Sequence, residues 1–236
     1  MNKLIVWMLP LSALLAPSAH ANLSIHPMRT AMDTKRGAQI RVYSQSTRPQ
    51  YVQASLRRID NPATPREQEQ DIEVADSAIA ITPGKFALSG GGNRLIRLIP
   101  LQPVQKETAY RVYFEGVRGP EGTELESSDD AAHADVGVSL VWGALVNVVP
   151  ADGVVNLSVR GNTLHNSGTL RVGIVHAAEC TAAGVCTPHD LSHSLYPDAD
   201  FTLPFQPQPG NSLRLRYRLS QDGYREHVQD VAIQSS

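Results

Sequence analysis

The chain has 236 residues, of which 42% are hydrophobic and 19% charged, and its 21 basic and 23 acidic side chains give a formal charge of −2. This composition suffices for one large or two small hydrophobic cores. Nucleic-acid binding by bulk electrostatics is excluded, because Lys and Arg are neither in excess nor clustered. A collagen-like, coiled-coil or disordered protein is excluded as well.

Residues 1–21, MNKLIVWMLPLSALLAPSAHA, have the pattern of a secretory signal peptide. Lys3 gives the positive start, residues 4–15 the apolar core, and Ala-His-Ala the cleavage pattern. A membrane-spanning helix is the alternative, but Pro10 and Pro17 interrupt an apolar run shorter than the roughly 20 residues that a bilayer requires. We therefore expect an exported mature chain that is not inserted in a membrane and carries one more net negative charge.

The rest of the chain alternates short β-type segments with turns, and no segment sustains helical periodicity past about three turns, which predicts an all-β protein. Turn residues such as Asn61-Pro62 and Pro83-Gly84 separate the segments. The predicted strands are 22–25, 38–43, 51–59, 79–81, 94–98, 110–117, 136–149, 154–159, 169–176, 201–205, 212–219 and 227–233. Seven strands and then five fit two immunoglobulin-like β-sandwich domains, 22–149 and 150–236.

The most informative of these segments is VGVSLVWGALVNVV, residues 136–149. Its even positions are all apolar and point to one face if the segment is a strand. These positions are Val136, Val138, Leu140, Trp142, Ala144, Val146 and Val148. A central core strand is the simpler interpretation of the pattern. However, a strand of this length at a sheet edge would promote aggregation unless it had a partner.

Two cysteines, Cys180 and Cys186, lie six positions apart in a chain expected to reach an oxidising compartment. A disulfide that closes a short loop is the favoured interpretation. A zinc site with His189 and His193 is the alternative, but the cysteine gap is wider than is usual in structural zinc sites.

The sequence resembles the periplasmic chaperones of chaperone–usher pilus assembly, PapD-like proteins with two immunoglobulin-like domains in an L shape. Two stretches carry the resemblance, ITPGKFALSGGGNRLIRLIPLQPVQKETAYRVYFEGV and GNTLHNSGTLRVGIVHAAEC. The likeness is greatest to the alternate branch of the family. It implies a periplasmic chaperone that completes pilus subunits with its own strand and passes them to an outer-membrane usher.

The resemblance also implies roles for individual residues. Arg29 matches the family's cleft arginine, which binds the C-terminal carboxylate of a subunit; a guanidinium suits this task because its planar donors grip a carboxylate in pairs. Leu145 occupies the position of the family's second cleft cation, a lysine, so this sequence departs from the pattern there. Val136, Val138 and Leu140 would enter the subunit's groove. Trp142 would either extend this row or pack into the chaperone's own core.

A buried charged trio joins the two domains in the family, and Arg97, Glu107 and Asp222 match it. Removing one member of such a network leaves an uncompensated charge, at a cost of about 3 to 5 kcal/mol.

Other functional classes have less support. The sequence contains no nucleophile turn of the G-x-S-x-G type, no phosphate loop, and no spacing of His, Ser and carboxylates that indicates catalysis, so neither an enzyme nor a cofactor is expected. A secreted immunoglobulin-like adhesin and a pilus subunit remain the alternatives. A subunit would polymerise or aggregate when alone, whereas a chaperone would stay monomeric or form a capped dimer.

Overall fold

The computed structural model describes residues 22–119 and 140–234. These residues form eighteen β-strands and two short 3-10 turns, with no α-helix among them. No helix in the described ranges is therefore long and apolar enough to span a bilayer. The predicted signal peptide lies outside the described residues.

The first unit contains ten strands and the 3-10 turn Val74–Asp76. The strands are β1 (Leu23–His26), β2 (Arg29–Met32), β3 (Ala38–Ser44), β4 (Gln50–Asp60), β5 (Gln68–Asp71), β6 (Ile79–Thr82), β7 (Lys85–Leu88), β8 (Asn93–Pro100), β9 (Thr108–Val117) and β10 (Trp142–Val148).

The second unit contains eight strands and the 3-10 turn Ser220–Asp222. The strands are β11 (Leu157–Arg160), β12 (Thr163–Asn166), β13 (Val172–Cys180), β14 (Cys186–His189), β15 (His193–Leu195), β16 (Asp200–Thr202), β17 (Ser212–Leu219) and β18 (Glu226–Gln234).

The first unit is a sandwich of two sheets. One sheet has the order β1-β3-β8-β6, and the other has the order β2-β10-β9-β4-β5 with β7 also paired to β4. Fully buried side chains from the two sheets meet between them, including Ile40 and Ile96 from one and Val112 and Val146 from the other. The alternation of buried and exposed residues along β3 and β8 places every second side chain in this core.

The second unit has its own core, built on the strand order β14-β13-β17-β18-β11-β12-β16, with β15 paired to β13. Strand β17, SLRLRYRL, shows why the sequence folds this way, because its apolar residues are buried and its three arginines are exposed. Arg214 and Arg216 form ion pairs with Asp230 and Glu226 on neighbouring β18. The first core ends with Val148, and the second begins at Val149 and is joined by Ala31.

Each predicted strand overlaps an observed one, and the prediction of an all-β protein with two immunoglobulin-like units is confirmed. The bounds of the long segment 136–149 were wrong in its described part. Its strand begins at Trp142, and Leu140 and Val141 precede it as exposed residues with no strand partner in the described part of the chain. Six strands of three or four residues were not predicted, namely β2, β5, β7, β12, β14 and β15.

Candidate binding cleft

Strand β10 is only partly covered along one of its edges. On one side β9 pairs with all of it, from Trp142 to Val148. On the other side β2 pairs in parallel with Leu145 to Val148 only, and the ladder ends where the Leu145 N–H donates to the Met28 carbonyl at 2.9 Å. Among the described residues, the backbone from Trp142 to Ala144 therefore has no strand partner on this side. An edge of this kind can accept a strand from another chain.

The even-numbered row of β10 passes from the interior of the protein to its surface. Ala144, Val146 and Val148 are fully buried in the first core, and Trp142 is half-buried against it. Leu140, two residues earlier, is 48% exposed. The apolar row thus leaves the protein's own core between Trp142 and Leu140. Val136 and Val138, predicted to continue it, lie outside the described residues.

Trp142 marks this boundary. Its ring packs against the first core, which is one of the two placements expected from the sequence. Its indole N–H is buried and has no hydrogen-bond partner within the described residues. Because such a donor is costly to leave unpaired, the position is held by packing and not by polar contacts.

Arg29 begins strand β2 directly opposite Leu145, next to the uncovered edge of β10. Its side chain is exposed and makes no ion pair with any described residue. It lines two cavities between the two units, of about 950 and 670 Å³. The residues of the larger cavity come from 29–37, from 149–151 between the two units, and from 220–225.

Leu145 provides no charge at the position where the family has a lysine. It is partly buried in a small apolar cluster that spans the two units, together with Ile59, Ala109 and Tyr196. The surroundings of Leu145 are therefore apolar as well, and a cation at this position would have to be desolvated.

A buried ion pair joins the two units. The Glu107 carboxylate accepts a hydrogen bond from the Arg171 backbone N–H at 2.9 Å, and its other oxygen lies 3.7 Å from Arg171 Nε. The side chains of Glu107 and Arg171 are 0% and 3% exposed. Burial raises the pKa of Glu107, and this outweighs the opposing effects of the Ser220 hydroxyl, the Arg171 N–H and the Arg171 charge.

Gly173 makes room for this arginine. A Cβ at that position would lie 2.7 Å from Arg171 Nη1, so a side chain there would displace the guanidinium. Arg171 also donates to Ser194 Oγ at 2.9 Å and to Ser220 Oγ at 3.3 Å, which fixes its orientation.

Asn147 extends the network into strand β10. It is fully buried, donates to Ser220 Oγ at 3.1 Å, and accepts from the Tyr196 hydroxyl at 2.9 Å. Burial raises the pKa of Tyr196 to about 12, so this hydroxyl remains a donor at neutral pH. Strand β10 is thereby fixed to the second unit through its odd-numbered face, while its even-numbered face packs in the first core.

The predicted membership of the interdomain trio was wrong for two of its three residues. Arg97 is exposed on β8, because Ile96 and Leu98 on either side of it point into the core and alternation sends it to the opposite face. Asp222 bonds instead to His227 and to the Arg225 backbone N–H. Only Glu107 is in the buried network.

The sequence contained signals for the residues that were missed. Asn147 is the one polar side chain in the run LVNVV, and Arg171 stands between apolar residues in TLRVGI. A polar residue at a position where the pattern requires a buried one indicates a buried hydrogen-bond network. The partners Ser194 and Ser220 have no such signal.

Cys180 and Cys186 form the predicted disulfide, and they face each other across the pairing of β13 and β14. Both sulfurs are consumed by this bond, so the alternative zinc site with His189 and His193 loses its two thiolate ligands. The rings of these histidines stack instead on Phe205 and Phe201.

Comparisons with known proteins agree across both units. No family model matches the chain. The chain is 32% identical over 201 residues to an Escherichia coli protein that is named as a fimbrial subunit of the CS1 type. This match covers 81% of the chain and 84% of that protein.

Two solved structures match at 25% identity, and each match covers 89% of this chain and 99% of the other. One is the class 5 fimbriae chaperone CfaA, with a TM-score of 0.74. The other comes from a chaperone–tip adhesin complex in CFA/I fimbriae biogenesis, with a TM-score of 0.72. The similarity therefore extends over both sandwich units.

Proposed function

The chain belongs to the family of fimbrial chaperones of the chaperone–usher pathway, and on this premise we propose that it completes fimbrial subunits through donor-strand complementation and delivers them to an outer-membrane usher. The observation that carries the proposal is the apolar row of β10, which leaves the chaperone's own core at Leu140 beside an uncovered strand edge. The segment before Trp142 is assigned as the donor, with Val136, Val138 and Leu140 filling the subunit's groove.

The position of Arg29 defines the direction of the guest strand. Arg29 stands at the end of the uncovered edge, opposite Leu145 and just beyond Ala144. A guest strand that pairs with Trp142 to Ala144 and places its terminal carboxylate on Arg29 must run in the same direction as β10. The donated strand is therefore parallel to the last strand of the guest. Main-chain hydrogen bonds supply affinity in such a complex, and the side-chain pockets supply specificity.

Burial of the donor side chains accounts for part of the affinity of the proposed complex. Burial of one large apolar side chain contributes roughly 1.5 to 3 kcal/mol, so three donor residues contribute a useful part of the binding free energy before ordering costs. The carboxylate adds charge-assisted hydrogen bonds to a guanidinium that has no ion-pair partner among the described residues.

The expected compartment is the periplasm. The signal-peptide pattern of residues 1–21 predicts export, and the Cys180–Cys186 disulfide is of a type that persists in oxidising compartments. Residues 22–149 and 150–236 are assigned as the two domains. The two separate cores support this division to within one residue, because they change over at the Val148–Val149 bond. The role assigned to the protein is non-catalytic.

The alternative is a pilus subunit, because the Escherichia coli relative is named as one. A subunit of this kind is one incomplete sandwich that is completed by a neighbour, whereas each unit of this chain has a core of its own. The matched structures favour the chaperone.

Co-expression with a fimbrial subunit tests the proposal. The wild-type chain should protect the subunit from proteolysis and co-purify with it, and Leu140→Glu should fold normally but lose both properties. The matched control is Val141→Glu, which places the same charge on the adjacent residue, 50% exposed and of opposite parity along the strand. If Leu140→Glu still recovers the subunit, the donor assignment is wrong.

A further inference from the structure

The carboxylate site that the proposed function requires has room for a second donor beside Arg29, and the case for that donor rests on the proposed function. Arg29 and Tyr224 are the two residues that line both cavities between the units. Arg29 comes from the first unit and Tyr224 from the second. Because they form the common wall of the two cavities, a group bound to Arg29 at this wall also meets Tyr224.

The backbone of Tyr224 is unusual for an aromatic residue. Its φ angle is +64°, directly after Gly223 at +76°, and its N–H donates to the Leu219 carbonyl at 3.0 Å. A bulky side chain is rarely found in the left-handed region, and such strain is concentrated at functional sites. Glycine or asparagine at this position would relieve the strain. The conformation of the loop instead directs the Tyr224 ring into the cleft, where it lines both cavities.

The ring of Tyr224 contacts Arg171, whereas its hydroxyl lacks a well-formed hydrogen bond. The Arg171 guanidinium lies over its ring, 5.9 Å from the centroid. Its hydroxyl oxygen is buried and makes no hydrogen bond of normal geometry to a described residue. Burial raises the pKa of Tyr224 and outweighs the charges of Arg171 and Arg29 and a weak hydrogen bond from Ser220, which act to lower it, so the hydroxyl keeps its proton. Because Ser220 is outside normal hydrogen-bond geometry, this buried and protonated hydroxyl is a donor without a well-placed acceptor.

The acidic groups around Arg29 already have partners. Asp33 accepts from the backbone N–H groups of Lys35 and Arg36 and pairs with the Arg36 guanidinium. Asp222 bonds to His227, and Glu107 is held by Arg171. No described carboxylate is therefore paired with Arg29, and the cleft has a cation and a hydroxyl donor that lack an anion.

We propose that the Tyr224 hydroxyl, which is buried in the free chain, is uncovered when a guest enters the cleft and donates a hydrogen bond to the guest's terminal carboxylate beside Arg29, in place of the cation that Leu145 does not supply. The arginine provides the charge, and the tyrosine from the opposite unit binds the carboxylate from the other side. The site is complete only when the two units are held together, so the buried network of Glu107, Arg171 and Asn147 also positions the carboxylate site.

The test compares two synthetic peptides, acetyl-Thr-Val-Thr-Val-Thr-Val with a free carboxylate and the same peptide with a terminal amide. Their dissociation constants are measured by NMR titration of the mature chain at millimolar peptide. Wild-type protein should prefer the carboxylate, and Tyr224→Phe should reduce this preference about tenfold, as expected for loss of a hydrogen bond to a charged group. Arg29→Ala should abolish the preference.

Tyr217→Phe is the matched control, because it removes a hydroxyl of the same unit that bonds to Gln229 and lines neither cavity. It should leave the preference unchanged, and thermal melts should show that all variants fold. An unchanged preference in Tyr224→Phe, with loss in Arg29→Ala, overturns the role of Tyr224 and leaves the proposed function standing. No carboxylate preference in wild-type protein, or the same preference in Arg29→Ala, overturns the carboxylate site itself.

Discussion

Arg29 lies directly opposite Leu145 in the parallel register of β2 and β10, at the residue where β2 stops covering the β10 edge. A charged side chain and the end of an uncovered strand edge are thus at the same point of the cleft. Under the proposed function, this relationship brings together one binding element for the backbone of a guest and one for its terminus. We expect both to be needed for a guest to bind in the correct register.

Arg29→Ala should weaken the complex with a fimbrial subunit about 10- to 100-fold, because a charge-assisted hydrogen bond contributes about 1.5 to 3 kcal/mol. Its effect on the thermal midpoint should be small, since Arg29 is exposed and pairs with no described acidic residue. Dissociation of the purified complex measures the loss. The matched control is Arg36→Ala, which removes a cation from the larger cavity but one already paired with Asp33. Equal weakening by both variants would indicate a general charge effect.

Trp142→Phe should change the stability of the first unit by less than about 1 kcal/mol, whereas Trp142→Ala should cost about 3 kcal/mol. The difference arises because phenylalanine keeps most of the ring packing and removes a buried N–H that lacks a partner. Urea unfolding followed by far-UV circular dichroism measures both variants without relying on tryptophan emission. A large loss in Trp142→Phe would show that the indole N–H does have an acceptor.

The buried pair can be tested by a double substitution. Arg171→Met should cost about 3 to 5 kcal/mol at neutral pH, because it leaves the Glu107 carboxylate buried without a cation. Adding Glu107→Gln should recover a large part of this loss, since the uncompensated charge is then removed. Denaturant unfolding of the two single variants and the double variant gives the coupling free energy. Additive losses would mean that the two side chains do not interact.

The stability of the protein should depend on pH through Glu107. Burial raises the pKa of this carboxyl above the ordinary 4.5, so above that pH the folded protein retains a proton that the unfolded chain has released. The stabilisation is complete below about pH 4.5 and is lost as the pH rises through the folded-state pKa.

The measurement is the difference in thermal midpoint between wild type and Glu107→Gln from about pH 4 to pH 8. The midpoint of the wild type should fall relative to that of the variant as the pH rises, and the other titrating groups cancel in the difference. A relative rise instead would mean that the Arg171 charge outweighs burial.

The sequence was most informative where side-chain alternation is strong. Strand β17 was predicted from Ser212 to Leu219, as observed, because an apolar residue at every second position can be satisfied only by a strand with one buried face. Short strands such as β5, QEQD, have no such pattern. They form because a neighbouring strand offers hydrogen bonds, and that depends on the tertiary structure.

The same contrast between local pattern and tertiary packing applies to the residues of the cleft. The apolar row from Leu140 to Val148, the position of Arg29 between the two units and the disulfide could be predicted from local pattern and family resemblance, since each depends on residues close in sequence or on a strongly marked motif. The partner of Glu107 and the position of Tyr224 could not be predicted, because Glu107 and Arg171 are 64 residues apart and meet only where the two units pack. Alternation determines which side of a strand a residue occupies. The packing of two sandwiches determines which residues it meets there, because that contact depends on the relative placement of surfaces that no local pattern records.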